Sequence, residues 1–338
     1  MSSTLERHVV TVGGLRVGAG AAVVIGGRVS LRERRGPAGE VLRERATLVE
    51  PSCAADLPVI AARADAVVVG AAWTRDIPLV RAAAGLGLPV VVERRPSASL
   101  EEWLGLADYC AAEGGDQVIL CEGGRLNLGL LRAARTASGR PVLADVSADA
   151  GLSAAAVAAG ADGLVLDHSL SAGADGPAPD RSLSAGADGL VLDHLLIAGP
   201  PVPRASHPGD DATADRTAGE TARGAMAGEA MRVAEEAVTL VGALLRPETP
   251  ATLPECREAI DRVDAALATL LERRAALAGI VQTLKPVGGF AGRDPGRERD
   301  LVARMARRAP ELGEERLAPV MNAVIEAGLH LAEDRARR

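Results

Sequence analysis

From Val23 to about Asp193, short apolar runs alternate with Ala-rich amphipathic stretches. The runs are VVIGG (23–27), ATLVE (46–50), AVVVG (66–70), PVVVE (89–93), QVILCE (117–122), PVLADV (141–146) and GLVLD (163–167). Continuous apolar runs of about five residues suit parallel strands buried on both faces. Stretches such as SLEEWLGLADYCAAEG (99–114) suit the helices that cover them. Repeated β/α units predict a parallel sheet, open or closed into a barrel.

An internal repeat follows. GADGLVLDH stands at 160–168 and at 186–194, and AGADG at 159–163, 172–176 and 185–189. It reads as a tandem duplication, because a stacked repeat array needs at least three units and more chain than this. Residues 199–219 are rich in Pro, Gly, Asp and Thr, which predicts a flexible loop or linker. A helix is expected over about 220–245, then a second short linker, PETPAT (247–252).

After Leu253 the period changes. Apolar residues recur at 253, 256, 260, 263, 267, 270, 277, 281 and 284. Alternation by three and four marks a heptad seam on one long helix. Pro286 stops it, since the residue before a proline disfavours helix. Asp294-Pro295 reads as the N-cap and first-turn pair of a second helix. Pro310 and Gly313 end that helix, and a third runs from about Glu314 to Arg335. The expected organisation is a β/α unit over 1–198, a linker with one helix over 199–252, and a helical unit over 253–338. So long a seam on so small a core invites a second copy of the chain.

Composition narrows the partners. Apolar residues make up 48% and aromatics only 1%, so base stacking on aromatic platforms is excluded. A net charge of −7 also argues against a phosphate-backbone partner, so no nucleic acid is expected. No apolar run reaches membrane-spanning length, and MSSTLERHVV lacks the pattern of a signal peptide. The cysteines Cys53, Cys110, Cys121 and Cys256 are scattered, without CxxC spacing, and read as reduced thiols. The expectation is a cytoplasmic protein that spans no membrane. Of the 38 basic residues only Lys285 is a lysine.

Two residues on the long helix carry chemistry. Arg274 sits at a seam position, where a desolvated guanidinium needs a partner. Lys285 lies three turns further on nearly the same face, with about 16 Å between the two Cα atoms at 1.5 Å rise. A small anion fits between their tips. From spacing alone, an interhelical ion pair for Arg274 and a dipole-complementing surface charge for Lys285 are the first readings. In RDPGRERD (293–300), Asp294 reads as a cap, and Arg297 and Glu298 as a solvated, self-paired face.

IDRVDAALATLLERRAALAGIVQTLK followed by RDPGRERDLVARM closely resembles the all-helical chorismate mutase family. The shared pattern is an Arg before I-D-x-x-D, an Arg ending L-L-x-R-R, a Lys eleven residues on, and D-x-x-R-E. The resemblance implies that Arg257 reaches into the partner subunit's site to bind one substrate carboxylate. Arg274 binds the other, and Lys285 donates to the ether oxygen. Arg297 helps hold a carboxylate, while Asp294 and Glu298 contact the ring hydroxyl. No cofactor is implied. The family's Ser and Gln or Glu on the third helix align with Gly328 and Ala332, a departure that removes a second donor to the ether oxygen.

VVERRPSASLEEWLGLADYCAAEGGDQVILCEGG (91–124) resembles 3-deoxy-arabino-heptulosonate 7-phosphate (DAHP) synthase, a (β/α)8 barrel, and the resemblance extends over about 17–195. Together the two resemblances imply α/β plus all-α architecture: a degraded (β/α)8 TIM-type barrel followed by a three-helix domain. The synthase motifs are depleted. G-P-C-S reads Gly27-Arg28-Val29-Ser30, losing a Cys metal ligand. The K-P-R-T-S region is absent, with the second β/α unit deleted. L-K-R-G reads Val92-Glu93-Arg94-Arg95, C-E-R-G reads Cys121-Glu122-Gly123-Gly124, and D-P-S-H reads Asp145-Val146-Ser147-Ala148. Only Asp167 and, weakly, Asp180 match the remaining oxygen ligands, too few for a divalent metal. Seven strands plus the duplicated GLVLD would restore eight. The expected function is a chorismate mutase, converting chorismate to prephenate as a homodimer, with an inactive barrel. Alternatives are a non-catalytic, metabolite-binding regulator of the pathway and an isochorismate-pyruvate lyase.

Overall fold

The computed structural model describes residues 7–32, 34, 36–167, 214–285, 287 and 289–337. A short antiparallel hairpin, β1 (Val10–Val12) and β2 (Leu15–Val17), leads into β3 (Val23–Ser30). Then follow β4 (Ala46–Glu50), β5 (Ala64–Val69), β6 (Val90–Glu93), β7 (Val118–Glu122), β8 (Val142–Asp145) and β9 (Gly163–Asp167). Each apolar run of the sequence is one of these strands. They pair in parallel in chain order, and β9 returns to pair with β3, closing a barrel. The ring has seven strands among the described residues, not eight. The second GLVLD copy lies outside the described residues, as does Asp180. Seven strands suffice because β9 finds its hydrogen-bonding edge on β3 directly, from Val23↔Gly163 to Arg28↔Asp167.

Alternation along each strand separates two cores. Ile25, Leu48, Val68, Val91, Ile119, Leu143 and Val165 point inward. Val10, Val12 and Val17 of the hairpin join them and plug the end where the strands start. The hairpin was not expected from the sequence, because its strands are only three residues each. The residues between point outward and meet the helices: Val67, Val69, Val90, Val92, Val118, Leu120, Val142 and Leu164.

The covering helices are α1 (Ala38–Val41), α2 (Leu57–Arg63), α3 (Ile77–Ala84), α4 (Leu100–Gly114), α5 (Leu128–Ser138), α6 (Ser153–Ala159) and α7 (Ala214–Leu245). In place of bulky aromatics, Ala83, Ala84, Ala107, Ala134 and Ala156 let them lie close to the sheet. Trp103 of α4 is the large exception, buried with its indole N–H donated to the Val92 carbonyl at 3.0 Å. α7 packs against α6, β3 and β9, burying Ala234 and Val238, so it covers the closing seam of the ring.

Arg246, just after α7, fastens this helix. It donates to the carbonyls of Gly20 and Ala161, each at 2.7 Å, and to Asp162 at 2.6 Å. Asp162 is fully buried and also pairs with Arg7 and Arg135. A buried carboxylate is tolerated only with such partners.

The helical region consists of α8 (Leu253–Leu284), α9 (Pro295–Ala306) and α10 (Gly313–Arg337). Thr252 and Glu255 form a capping box that starts α8. Lys285 is extended, as a residue before proline prefers, and ends it. α10 crosses α8, and α9 packs on α10. The Arg16–Glu255 ion pair (2.7 Å) and the Arg262–Glu248 pair link the start of α8 to the hairpin and to the second linker. The α8 seam is uncovered: Leu253, Ile260, Val263, Leu267, Leu277 and Leu284 are exposed, and Leu284 reaches 78%.

Candidate functional site

Two of the expected cations, Arg274 and Lys285, come from α8 and its C-cap. Arg274 is half-buried and donates to the Val324 carbonyl at 3.4 Å. Among the described residues it forms no ion pair with a carboxylate, so the interhelical salt bridge allowed by its spacing is not made there. Gly328 of α10 is buried beside it. A Cβ built there would lie 3.8 Å from Ala278 Cβ and 4.0 Å from Arg274 Nη1, so there is room for a small side chain. Gly328 and Ala332 are four residues apart on α10, which places the departure positions on the face turned toward α8.

Lys285 is half-buried at the end of α8, and its Nζ donates to the Gly292 carbonyl at 2.8 Å. It is near enough to Asp294 and Glu298 to favour their ionised forms. The Asp294 carboxylate caps α9, accepting from the N–H groups of Gly296 and Arg297 at 3.0 and 3.1 Å. The Arg297 hydrogen bond is the main reason its pKa is lowered. The capping alternative is therefore the one observed. Arg297 itself is exposed on the first turn of α9.

Glu298 is gripped by Arg293 through two hydrogen bonds, 3.0 and 2.7 Å, which lower its pKa. Arg293 also reaches Glu326 at 3.3 Å and Asn322 at 2.7 Å, joining α9 to α10. The sequence reading did not single out Arg293. The available signal was its position beside the Asp294 cap and five residues before Glu298. His330, which with Glu333 could stand in for the missing donor if α10 shifts register, packs its ring on Phe290 with centroids 5.1 Å apart. Glu333, the other, lies beside Gly289 of the loop that follows Lys285. Arg257 is exposed on the first turns of α8 and has no hydrogen bond or ion pair among the described residues.

A second polar cluster fills the barrel mouth at the strands' C-terminal ends. The next inward position on β4 is Glu50, on β6 Glu93, on β8 Asp145 and on β9 Asp167. On β3 the register shifts at Gly27, whose φ of 78° suits glycine, and Arg28 turns inward where alternation would have sent it out. Its guanidinium lies 2.6 Å from Glu93, 2.8 Å from Asp145, 3.5 Å from Glu50 and 3.7 Å from Asp167. Glu50 is held in addition by Ser30 (2.9 Å) and the Trp73 indole (3.0 Å). Gly70 permits this, because a Cβ there would overlap the Glu50 carboxylate. Burial disfavours the charged Arg28, but Glu93 and the other anions outweigh it and raise its pKa. Burial, with Glu50 and Asp145 nearby, pushes Glu93 up to about 7 against the pull of Arg28. Burial likewise raises Cys121.

The residues around this mouth do not fit a divalent metal. Val29, at the Cys position, faces the outer core. Ala148 replaces the His, and a guanidinium stands among the carboxylates. Among the described residues, no three or more His, Cys, Asp or Glu side chains converge as metal ligands. The phosphate-binding positions are reversed or empty as well. Glu93 replaces Lys, and Gly123 replaces Arg, lying against Asp145. Arg94 is retained but spent on a buried pair with Glu122, at 2.5 and 2.7 Å.

The chain thus combines a closed parallel barrel with a region of long helices, α8 to α10. Residues 256–333 match the family model of chorismate mutase type II. Over 129 residues the chain is 32% identical to phospho-2-dehydro-3-deoxyheptonate aldolase of Thermotoga maritima, covering 33% of this chain and 38% of that protein. The chain thus spans under two-fifths of that relative's length. A crystal structure of the aldolase (DAHP synthase) from Thermotoga maritima aligns at TM-score 0.43 and 24% identity, covering 48% of this chain and 64% of that one. A truncated form of 3-deoxy-D-arabino-heptulosonate 7-phosphate synthase from the same organism gives 0.41 and 25%, over 48% and 80%. The sequence matches are consistent with a fusion of a DAHP synthase homologue and a chorismate mutase type II domain. No helix among the described residues is long and apolar enough to cross a membrane.

Proposed function

We propose that residues 253–338 form a chorismate mutase that works as a homodimer, and that the barrel has no synthase activity. The observation that carries the reading is Arg274: a half-buried guanidinium with no carboxylate partner among the described residues, on the helix that Lys285 ends. A cation held in that state is available to an anionic ligand. Chorismate to prephenate is a unimolecular [3,3] rearrangement that needs no proton transfer and no nucleophile. The enzyme must hold a dianion in a compact, chair-like conformer. It must also stabilise negative charge growing on the ether oxygen as that C–O bond breaks. Arginines suit the planar carboxylates and a compact ammonium suits a single oxygen. Arg274 takes one carboxylate, Arg297 assists, and Lys285 exchanges its Gly292 carbonyl for the ether oxygen. Lys285 favours the ionised forms of Asp294 and Glu298, and Arg293 orients Glu298.

Arg257 completes the site from the second subunit. The uncovered α8 seam supports the dimer, since pairing two such helices buries Leu253, Ile260, Val263, Leu267 and Leu277. Gly328 and Ala332 favour the second reading, a metabolite-binding domain without turnover, because the second donor to the ether oxygen is missing.

The test is to incubate the protein separately with chorismate and with isochorismate and to identify products by chromatography. Prephenate from chorismate is the expected result. Pyruvate released from isochorismate alone makes the protein a lyase, and binding without product makes it a regulator. Condensation of phosphoenolpyruvate with erythrose 4-phosphate, assayed with manganese, is expected to be absent.

A further inference from the structure

The barrel mouth raises a question that the mutase does not answer: what holds this end of the ring together. Carboxylates project inward from β4, β6, β8 and β9. Glu50, Glu93 and Asp145 are buried there and Asp167 stands half-exposed at the rim, so their ionised forms repel one another and the buried three are costly to desolvate. Ionised together, they call for a cation among them. The only cation among the described residues that contacts all four is Arg28.

We propose that Arg28 is a tethered cation: its guanidinium occupies the place of a mobile counter-ion and ties five strand ends together. The barrel is thereby a scaffold that needs no ligand to stay closed. The geometry is specific to a guanidinium. Two nitrogens face three different strands: Nη1 meets Asp145, while Nη2 meets Glu93 and Glu50. Nε is turned toward Asp167. A planar fork with several donors can address separate carboxylates at once, whereas an ammonium is a point charge. The side chain is only 12% exposed, so solvent screens its pairs with Glu50, Glu93 and Asp145 weakly. The Gly27 bulge is the device that delivers it, because without the register shift Arg28 would face the helices.

The prediction is that removing the side chain leaves a guanidinium-shaped void that a free guanidinium refills. The experiment compares thermal melts of the full-length wild type, Arg28→Ala and Arg28→Lys, each with methylguanidinium chloride or sodium chloride at equal millimolar concentrations. Arg28→Ala is expected to melt about 5 °C or more below wild type and to recover part of that loss with methylguanidinium only. Arg28→Lys is expected to melt between the two without responding. Should Arg28→Ala not fold unaided, refolding with and without methylguanidinium gives the same readout. An Arg28→Ala protein that melts as wild type does, or that methylguanidinium stabilises no more than sodium chloride, overturns the proposal. Manganese(II) is expected to leave the wild-type melt unmoved; a manganese-dependent rise would put a mobile cation in the mouth and also overturn it.

Discussion

Replacing Glu93 by Gln should flatten the pH dependence of stability. Glu93 is buried among Arg28, Glu50 and Asp145, and its pKa is raised from 4.5 to about 7. The folded protein therefore binds this proton more tightly than the unfolded chain. Below pH 4.5 both states carry it, and its stabilising contribution is full. Between 4.5 and about 7 only the folded state holds it, so stability falls as pH rises. Above about 7 both states are ionised and the contribution is gone. At about 1.4 kcal/mol per pH unit, that interval corresponds to roughly 3 kcal/mol. At about 2–4 °C per kcal/mol for a domain of this size, the melting temperature should drop by about 6–12 °C from this group alone. Glu93→Gln keeps the shape and cannot titrate. The assay is a series of melts from pH 4 to 8 on both proteins, read as the difference between them, in which other carboxylates largely cancel. The wild-type curve should descend relative to the variant between pH 4.5 and about 7. Parallel curves would refute the reasoning, because Glu93 would then titrate as it does in the unfolded chain.

Three further predictions concern the helices. Lys285→Arg should lower prephenate formation about a hundredfold, the usual effect of losing one donor aimed at developing charge, with an unchanged melt; equal rates would reduce Lys285 to a loop contact. Arg257→Ala and Arg274→Ala should each be inactive alone, yet regain activity when unfolded together and refolded as mixed dimers. A mixture as inactive as its components would remove Arg257 from the neighbouring site. Gly328→Ser combined with Ala332→Gln should raise the mutase rate, since the space beside Arg274 accepts a small side chain; a drop in rate with an intact melt would count against the alignment of α10.

Every strand of the ring was legible, because a parallel strand buried on both faces must be an uninterrupted apolar run. The α8 seam was legible for the related reason that a helix of thirty-two residues imposes its period on the sequence. The contents of the mouth were only partly legible. Glu50, Glu93, Asp145 and Asp167 follow from counting by two along each strand, but Arg28 does not. A single bulge at Gly27 reverses the parity, and nothing in VVIGGRVS says which glycine absorbs it. The Asp162 cluster was hidden because its arginines come from three distant parts of the chain. Asp294, Arg297 and Glu298 were located correctly on α9, yet the grip of Arg293 on Glu298 depends on how α9 meets α10, which no local pattern records.

The clasp that Arg246 makes on Asp162 has a consequence for biosynthesis. A ribosome delivers Asp162 first and Arg246 84 residues later, an interval of about 4–17 s at about 5–20 residues per second. For most of it the β3–β9 seam lacks the cover of α7, and throughout it Asp162 lacks one of its three guanidinium partners among the described residues. The nascent barrel is then at its most vulnerable to proteases and to pairing with other chains. Slow decoding between the duplicated GLVLD and α7 would lengthen that exposure, and truncation before Arg246 would make it permanent.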